Sequence, residues 1–214
     1  VYMIGVFGGS FDPIHFGHIN PLMELSEQFE FSAIRLMATY KSPVSKIFHS
    51  DASHRHNMVS IIAASTTNNF IADDLEIRKK DVSYTYETIQ NLKNTLKNED
   101  ICLIMGLDVF LHIETWYNYQ KIIEEVNIIV VNRPDFDIKS TKNMDPSILD
   151  KITEEKEKFL ENKKGYIFFY DTPSIGISST RIRSMIGRGE TPSGMIPGSI
   201  MSYIKRNKLY MEKI

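Results

Sequence analysis

The fold of this chain is decided by residues 8 to 18, Gly-Gly-Ser-Phe-Asp-Pro-Ile-His-Phe-Gly-His. The apolar run from Met3 to Phe7 comes directly before them, which is typical of a buried parallel strand that ends in a tight turn. A glycine pair at that turn lets backbone N–H groups approach an anion, because no Cβ stands in the way. The segment therefore predicts a strand, a phosphate-binding turn and a helix that runs from His18 to about Glu27.

The rest of the chain alternates between apolar runs and helical spacings. We expect further strands at 33–38, 70–77, 101–107, 126–132 and 166–170. We expect helices after an Asp51 cap, along a face of Ile89, Leu92 and Leu96, and at 117–125, 178–186 and 199–207. This alternation predicts an α/β fold with a Rossmann-like, doubly wound parallel sheet.

The length of 214 residues suits a single domain that covers residues 1–214. Residues 134–165 form a polar excursion within it, where the charged run 154–158 is expected to be a solvated surface. Residues 178–214 are expected to form a C-terminal helical part.

Composition narrows the class of ligand. The formal net charge is −2 with a pI near 6.3, so we expect no nucleic-acid partner and favour a small phosphorylated ligand. The one cysteine, Cys102, lies in an apolar run and is expected to be buried in a protein of the reducing cytoplasm. We expect no membrane association, because no apolar run approaches about 18 residues and the N-terminus lacks a signal-peptide pattern. A homo-oligomer stays open.

Two histidines follow the glycine turn. His15 and His18 are three residues apart, so both rings share one face if the helix has begun by His15. They suit an oligophosphate at a helix N-terminus, although ordinary turn residues and a zinc site are alternatives. We expect no metal site built by the protein, because no cysteine or glutamate accompanies the pair at ligand spacing.

A second polar segment lies near the other end of the chain, at residues 177–183, with the sequence Ile-Ser-Ser-Thr-Arg-Ile-Arg. Its hydroxyls could simply cap a helix, but three of them exceed what one cap needs. With the positive end of the helix dipole and Arg183, they predict a cradle for β- and γ-phosphates.

Asp108 and Trp116 each allow a structural and a functional interpretation. Asp108 follows Gly106 at the end of a predicted strand, where it could accept hydrogen bonds from a ribose or cap a helix. Trp116 is the only tryptophan and could be a core anchor or part of a binding pocket.

Residues 15–18, His-Phe-Gly-His, resemble the (H/T)xGH motif of the nucleotidyltransferase superfamily, and residues 177–183 resemble its ISSTxIR motif. The resemblance implies a Rossmann-like fold and an enzyme that joins a nucleoside triphosphate to a phosphorylated acceptor. It implies catalytic roles for His15, His18 and Arg183. It also implies contacts to ATP from Gly8, Gly9, Ser10, Phe11, Gly106, Asp108, Arg133, Ile177, Ser178, Ser179 and Thr180.

Other segments are similar to the bacterial-type nicotinate mononucleotide adenylyltransferases. These are Ser83-Tyr84-Thr85, Gly106-Leu107-Asp108 with Thr115-Trp116, and Arg133-Pro134. The resemblance implies adenylyl transfer from ATP, with Mg²⁺ held mostly by its phosphates, to nicotinate mononucleotide. Acceptor contacts would come from Thr85, Tyr84, Trp116 and Lys41. Residues 40–46 depart from the Pro-Pro-His-Lys pattern that many relatives have in this loop.

Other functions stay open at this point. The acceptor could be nicotinamide mononucleotide or another phosphorylated compound such as phosphopantetheine, and a cytidylyl transfer is a further alternative. A non-catalytic nucleotide sensor would keep the fold but would not need His15, His18 and Arg183. A hydride-transferring dehydrogenase is disfavoured, because the first turn has no G-x-G-x-x-G.

Overall fold

The structure is a computed structural model that describes residues 2–44, 47–67, 69–97, 99–132, 138–173 and 176–211. Within these ranges seven strands form one sheet of order β3-β2-β1-β4-β5-β7-β6, and all neighbouring strands are parallel. The strands are β1 (Tyr2–Gly9), β2 (Ala33–Ala38), β3 (Phe70–Asp73), β4 (Glu99–Gly106), β5 (Asn127–Asn132), β6 (Ile152–Thr153) and β7 (Ile167–Asp171). The predicted doubly wound α/β fold is confirmed.

Helices connect the strands and cover both faces of the sheet. They are α1 (Phe16–Gln28), α2 (Ala52–Ser65), α3 (Leu75–Lys79), α4 (Thr85–Thr95), α5 (Leu107–Phe110), α6 (Tyr119–Glu125), α7 (Pro146–Leu149), α8 (Lys156–Glu161), α9 (Ser179–Gly187) and α10 (Gly198–Arg206). Short 3₁₀ helices span Ile113–Thr115 and Ile138–Asn143. Among the described residues, no helix combines the length and the apolar character that a membrane span requires.

The core lies on both faces of the sheet, as expected for parallel strands that are covered by helices. In β4, Cys102 and Ile104 pack with helices α1, α2, α9 and α10, whereas Leu103 and Met105 pack with α4 and α6. Cys102 is fully buried, as predicted, and its burial raises the pKa of the thiol.

Three sequence predictions need correction. The strand expected at 70–77 ends at Asp73, whose carboxylate accepts hydrogen bonds from Arg35 at 2.6 Å and from the Leu75 N–H at 3.0 Å, and α3 follows. The first helix begins at Phe16, two residues before His18. Asp51 occupies the N-cap position of α2, but its side chain makes no capping hydrogen bond there.

The polar excursion contributes to the sheet, which the sequence did not predict. Its strand β6 pairs with β7 through Ile152 opposite Ile167, and its side chains Ile148 and Phe159 are fully buried. Most of the charged run at 154–158 is exposed, as expected. The excursion therefore packs against the domain through a few apolar residues while its charges stay in solvent.

Candidate active site

The strand order creates a crevice at the carboxyl ends of β1 and β4. From β1 the chain continues to β2 on one side of the sheet, whereas β4 adds on the other side. Ligands of open parallel sheets bind at such a switch point. A Cβ added to Gly8, near the end of β1, would meet nothing within 4 Å, so this end of the strand faces open space. Gly106 ends the neighbouring strand β4.

The two predicted catalytic histidines lie together at the start of α1. His15 is the N-cap residue, and its ring stacks on that of His18 with 3.8 Å between the ring centroids. The His15 N–H donates to Nδ1 of His18 at 3.4 Å. His15 is only 2% exposed, whereas His18 is partly exposed. His18 is therefore the more accessible ring for a ligand.

Two neighbours fix the orientation of these rings. The fully buried Phe11 ring meets the His18 ring edge-on, with 5.3 Å between their centroids. The whole Phe11 residue is buried, so the structure shows no accessible Phe11 atom for the predicted contact with ATP. A Cβ on Gly17 would lie 3.0 Å from the His15 ring and 3.3 Å from the Ile177 carbonyl oxygen, so any side chain at this position would crowd both groups.

The two motifs that lie about 160 residues apart in the sequence are in direct contact. The Arg183 guanidinium donates to the Asp12 carbonyl at 2.7 Å, and the Ser179 hydroxyl donates to the Pro13 carbonyl at 3.0 Å. The peptide bond between Asp12 and Pro13 is cis. These contacts place the start of α9 and the cation of Arg183 beside the start of α1.

The three hydroxyls at the start of α9 have different partners. Ser178 caps the helix by accepting from the Arg181 N–H at 3.2 Å, and Thr180 accepts from Arg183 at 3.3 Å. Ser179 binds the first motif, as described above. The capping alternative thus holds for Ser178. The Thr180 hydroxyl instead bonds to Arg183 within α9, and the Ser179 hydroxyl joins α9 to the first motif. Ile177 is 9% exposed, which leaves mainly its backbone for a ligand.

Asp12, which the sequence analysis did not name as a site residue, lies in the loop between the glycine pair and His15. It is 2% exposed, and its carboxylate accepts from the His49 N–H, the Ser50 hydroxyl and the Tyr210 hydroxyl, each at 2.6 Å. Donors from two parts of the chain, residues 49–50 and Tyr210, therefore hold the loop that precedes His15. Its position next to Pro13 was the only signal in the sequence, and that signal indicates just a turn.

Arg55 is a second residue that the sequence analysis missed. It is 1% exposed, and its guanidinium donates to the carbonyls of Ser10 at 2.9 Å, Ser50 at 3.2 Å and Tyr40 at 3.4 Å. It also stacks over the Phe48 ring at 4.1 Å. Burial lowers the pKa of Arg55, but the charge of Asp12 opposes this effect. The predicted ATP contact Ser10 thus has its carbonyl bound by Arg55.

Asp108 lies in the first turn of α5, just after Gly106 at the end of β4. Its Oδ1 atom is buried and has no hydrogen-bond partner among the described residues. A buried carboxylate oxygen without a partner is costly unless a ligand supplies a donor. A ribose hydroxyl at the switch point would be such a donor.

The segments predicted to bind the acceptor also come together. Thr85 begins α4, and the ring of Tyr84 lies 5.4 Å from that of Tyr117, the residue after the partly buried Trp116. Lys41 has an exposed side chain, and its carbonyl accepts from the Ser83 N–H at 3.0 Å. Arg133 lies outside the described residues, as do Ser45 and Lys46 of the divergent loop.

The glycines, the two histidines and Arg183 lie together at the switch point of a parallel sheet, an arrangement that suits an enzyme of the nucleotidyltransferase class. A family model described as cytidylyltransferase-like matches residues 6–185. The chain belongs to this family, and within it to the nicotinate-nucleotide adenylyltransferases, as its relatives show.

Two curated relatives illustrate the match, and both are named probable nicotinate-nucleotide adenylyltransferase. The protein from Psychromonas ingrahamii is 31% identical over 97% of this chain and 96% of its own length. The protein from Methylococcus capsulatus is 28% identical over 97% of this chain and 99% of its own length. The fold is similar to that of Plasmodium falciparum nicotinic acid mononucleotide adenylyltransferase complexed with NaAD. The TM-score is 0.75 at 22% identity, with 98% of each chain covered.

Proposed function

We propose that this enzyme transfers the adenylyl group of ATP to nicotinate mononucleotide, which gives nicotinate adenine dinucleotide and pyrophosphate. The names of the relatives indicate this reaction. The observation that carries the proposal is the contact of Arg183 and Ser179 with the Asp12–Pro13 turn. That contact gathers two phosphate-binding segments around one crevice, as cleavage of a triphosphate requires.

The reaction is an in-line displacement at the α-phosphorus of ATP. A 5′-phosphate oxygen of the acceptor forms the new P–O bond, and the bond to the β-phosphate oxygen breaks with release of pyrophosphate. The attacking oxygen is already anionic, so the protein positions the reactants and stabilises charge without a general base. ATP would bind as its magnesium complex, in which phosphate oxygens, and not protein side chains, would supply most of the metal's non-water ligands.

The geometry favours a separate task for each motif. His18, the accessible member of the stacked pair, donates to the α-phosphoryl oxygens, and His15 orients its ring. Arg183 and the segment 178–180 hold the β- and γ-phosphates that leave. The backbone of residues 8–10 approaches the phosphates, and Asp108 accepts from the ribose beside Gly106.

The acceptor lies on the other side of this crevice in our proposal. Tyr84, Thr85 and Trp116 bind the pyridine nucleotide, since the Tyr84 and Tyr117 rings bring their two segments together. The exposed Lys41 reaches the acceptor phosphate.

The decisive experiment measures pyrophosphate release from ATP with nicotinate mononucleotide as the acceptor. His18→Ala should lower kcat by about 100- to 1,000-fold, the cost of removing one donor that stabilises transition-state charge. His54→Ala is the matched control, because His54 lies on α2 and its ring contacts Tyr203 on α10. We expect this control to keep wild-type turnover.

The same assay tests the acceptor. Nicotinate mononucleotide should be turned over at least tenfold faster than nicotinamide mononucleotide. Equal rates would refute an acid-specific pocket, and near-normal turnover by His18→Ala would refute the role of His18. If neither acceptor supported pyrophosphate release, the proposed substrate would be contradicted.

A further inference from the structure

The chain turns back on itself after α10. The Leu209 N–H donates to the Ile204 carbonyl at 3.1 Å, and both Lys208 and Tyr210 have positive φ angles, of 52° and 59°. Residues with a Cβ rarely adopt this left-handed conformation, so packing and hydrogen bonds must hold the turn. The turn directs Tyr210 back towards the N-terminal motif.

The Tyr210 hydroxyl ends at the carboxylate of Asp12. It donates to Asp12 Oδ1 at 2.6 Å and lies 3.0 Å from the Ser50 hydroxyl. Burial and the negative charge of Asp12 raise the pKa of Tyr210, so the phenol keeps its proton and its role as a donor. Residue 210 thus supports a loop that lies 198 positions earlier in the chain.

Asp12 in turn contacts Arg183 and lies close to the start of α1. The Asp12 carbonyl accepts from Arg183 at 2.7 Å, and Asp12 lies three positions before His15. Because the carboxylate and the carbonyl belong to the same residue, loss of a hydrogen bond to the carboxylate would loosen the backbone carbonyl that holds the Arg183 guanidinium. The C-terminal turn thus contributes one of the three hydrogen bonds that hold the Asp12 carboxylate beside both motifs of the crevice.

We propose that Tyr210 is a positioning residue, which acts through Asp12 to hold Arg183 and the start of α1 in the geometry that binds the triphosphate. The inference rests on the proposed function only in that ATP is the ligand of this crevice. Tyr210 itself does not contact the substrate, and its effect appears in ATP binding and in kcat.

The test compares Tyr210→Phe with Tyr203→Phe. Both variants lose only a hydroxyl from the C-terminal part, but Tyr203 bonds to His54 and Asn57 on α2 and has no part in the crevice. Calorimetric titration with Mg-ATP should give a Kd about tenfold higher for Tyr210→Phe, because binding must then also order the Asp12 turn and Arg183. Tyr203→Phe should bind within twofold of wild type.

Turnover gives the second readout. We expect kcat to fall about tenfold for Tyr210→Phe, with the KM for the acceptor unchanged within twofold. A purely structural role would lower the Tm and leave the Kd for Mg-ATP unchanged, and this result would overturn the inference. Equal effects of the two substitutions on the Kd would overturn it as well. Calorimetry needs no acceptor. A wild-type enzyme that binds Mg-ATP but does not turn over nicotinate mononucleotide would therefore refute the proposed function and leave the test of Tyr210 valid.

Discussion

At the scale of single residues, the orientation of His15 depends on its neighbour Gly17. The Gly17 Cα lies so close to the His15 ring that an added Cβ would stand 3.0 Å from two ring atoms. The ring cannot move away freely, because it is 2% exposed and stacks on His18. The spacing of a histidine, a glycine and a second histidine in the motif thus has a steric cause.

Gly17→Ala should therefore impair catalysis more than folding. The added methyl group displaces the His15 ring and through it His18, so we expect kcat to fall at least about tenfold. Overpacking costs about 1 to 3 kcal/mol, but the higher helix propensity of alanine returns about 1 kcal/mol. Pyrophosphate release and chemical unfolding would measure the two effects.

Gly198→Ala is the control for this substitution. Gly198 begins α10, and a Cβ there would meet nothing within 4 Å. This variant should keep wild-type turnover with equal or slightly higher stability. A Gly17→Ala enzyme with normal kcat would show that the stacked geometry is not needed for transfer.

At the scale of elements, the sequence predicts those parts of the fold whose pattern is local. Most residues of β2 and the run 101–105 of β4 are apolar, and the start of α9 shows its capping serine. The two-residue strand β6 has no such pattern, because its place depends on pairing with β7. The sequence does not reveal the roles of Arg55 and Tyr210 for the same reason, because most of their hydrogen-bond partners lie far away in the sequence. A buried arginine on a helix is indistinguishable from a surface one until the fold is known.

The polar excursion also has a role that its composition does not show. Asp145 caps α7, and its Oδ2 accepts from the Tyr119 hydroxyl at 3.2 Å, while its N–H donates to Glu114 at 2.5 Å. Glu114 and Tyr119 flank the Thr115-Trp116 segment on both sides. The excursion therefore holds the loop that we propose for the acceptor.

Asp145→Ala should raise the KM for the acceptor several-fold and leave the KM for ATP near the wild-type value. Tyr119→Phe removes only the link and keeps the cap of α7, so it should raise the acceptor KM without the fall in Tm expected for Asp145→Ala. Steady-state kinetics and thermal unfolding separate the two effects. An acceptor KM that neither substitution changes would mean that the loop holds its shape alone.

At the scale of the whole molecule, segments from distant parts of the chain converge on one charged pair of residues. The anion Asp12 and the cation Arg55 are both buried, and each binds backbone groups from other segments. Arg55 joins the turn after β1 to the loop after β2, and Tyr210 joins both to the C-terminus. Stability and ATP binding should therefore be coupled through this cluster.

Arg55→Met tests this coupling. Methionine fills part of the space but leaves the carbonyls of Ser10, Tyr40 and Ser50 without their donor in a dry environment. We expect the free energy of unfolding to fall by about 3 kcal/mol or more, measured by urea titration. Arg55→Lys should recover less than half of this loss, because one ammonium group cannot replace a planar guanidinium that donates in three directions.

The control is Arg78→Met, which removes an arginine that is 70% exposed and pairs with Asp74 at the N-cap position of α3. Its loss should change the free energy of unfolding by no more than about 0.5 kcal/mol.

The affinity for Mg-ATP is the second readout. Arg55→Lys keeps the charge, but we expect it to bind Mg-ATP several-fold more weakly than the wild type, because the Ser10 carbonyl loses its fixed donor and the turn after β1 loosens. If Arg55→Lys unfolded at the wild-type urea concentration and bound Mg-ATP normally, the cluster would be a filler of the core and not the link between folding and the site.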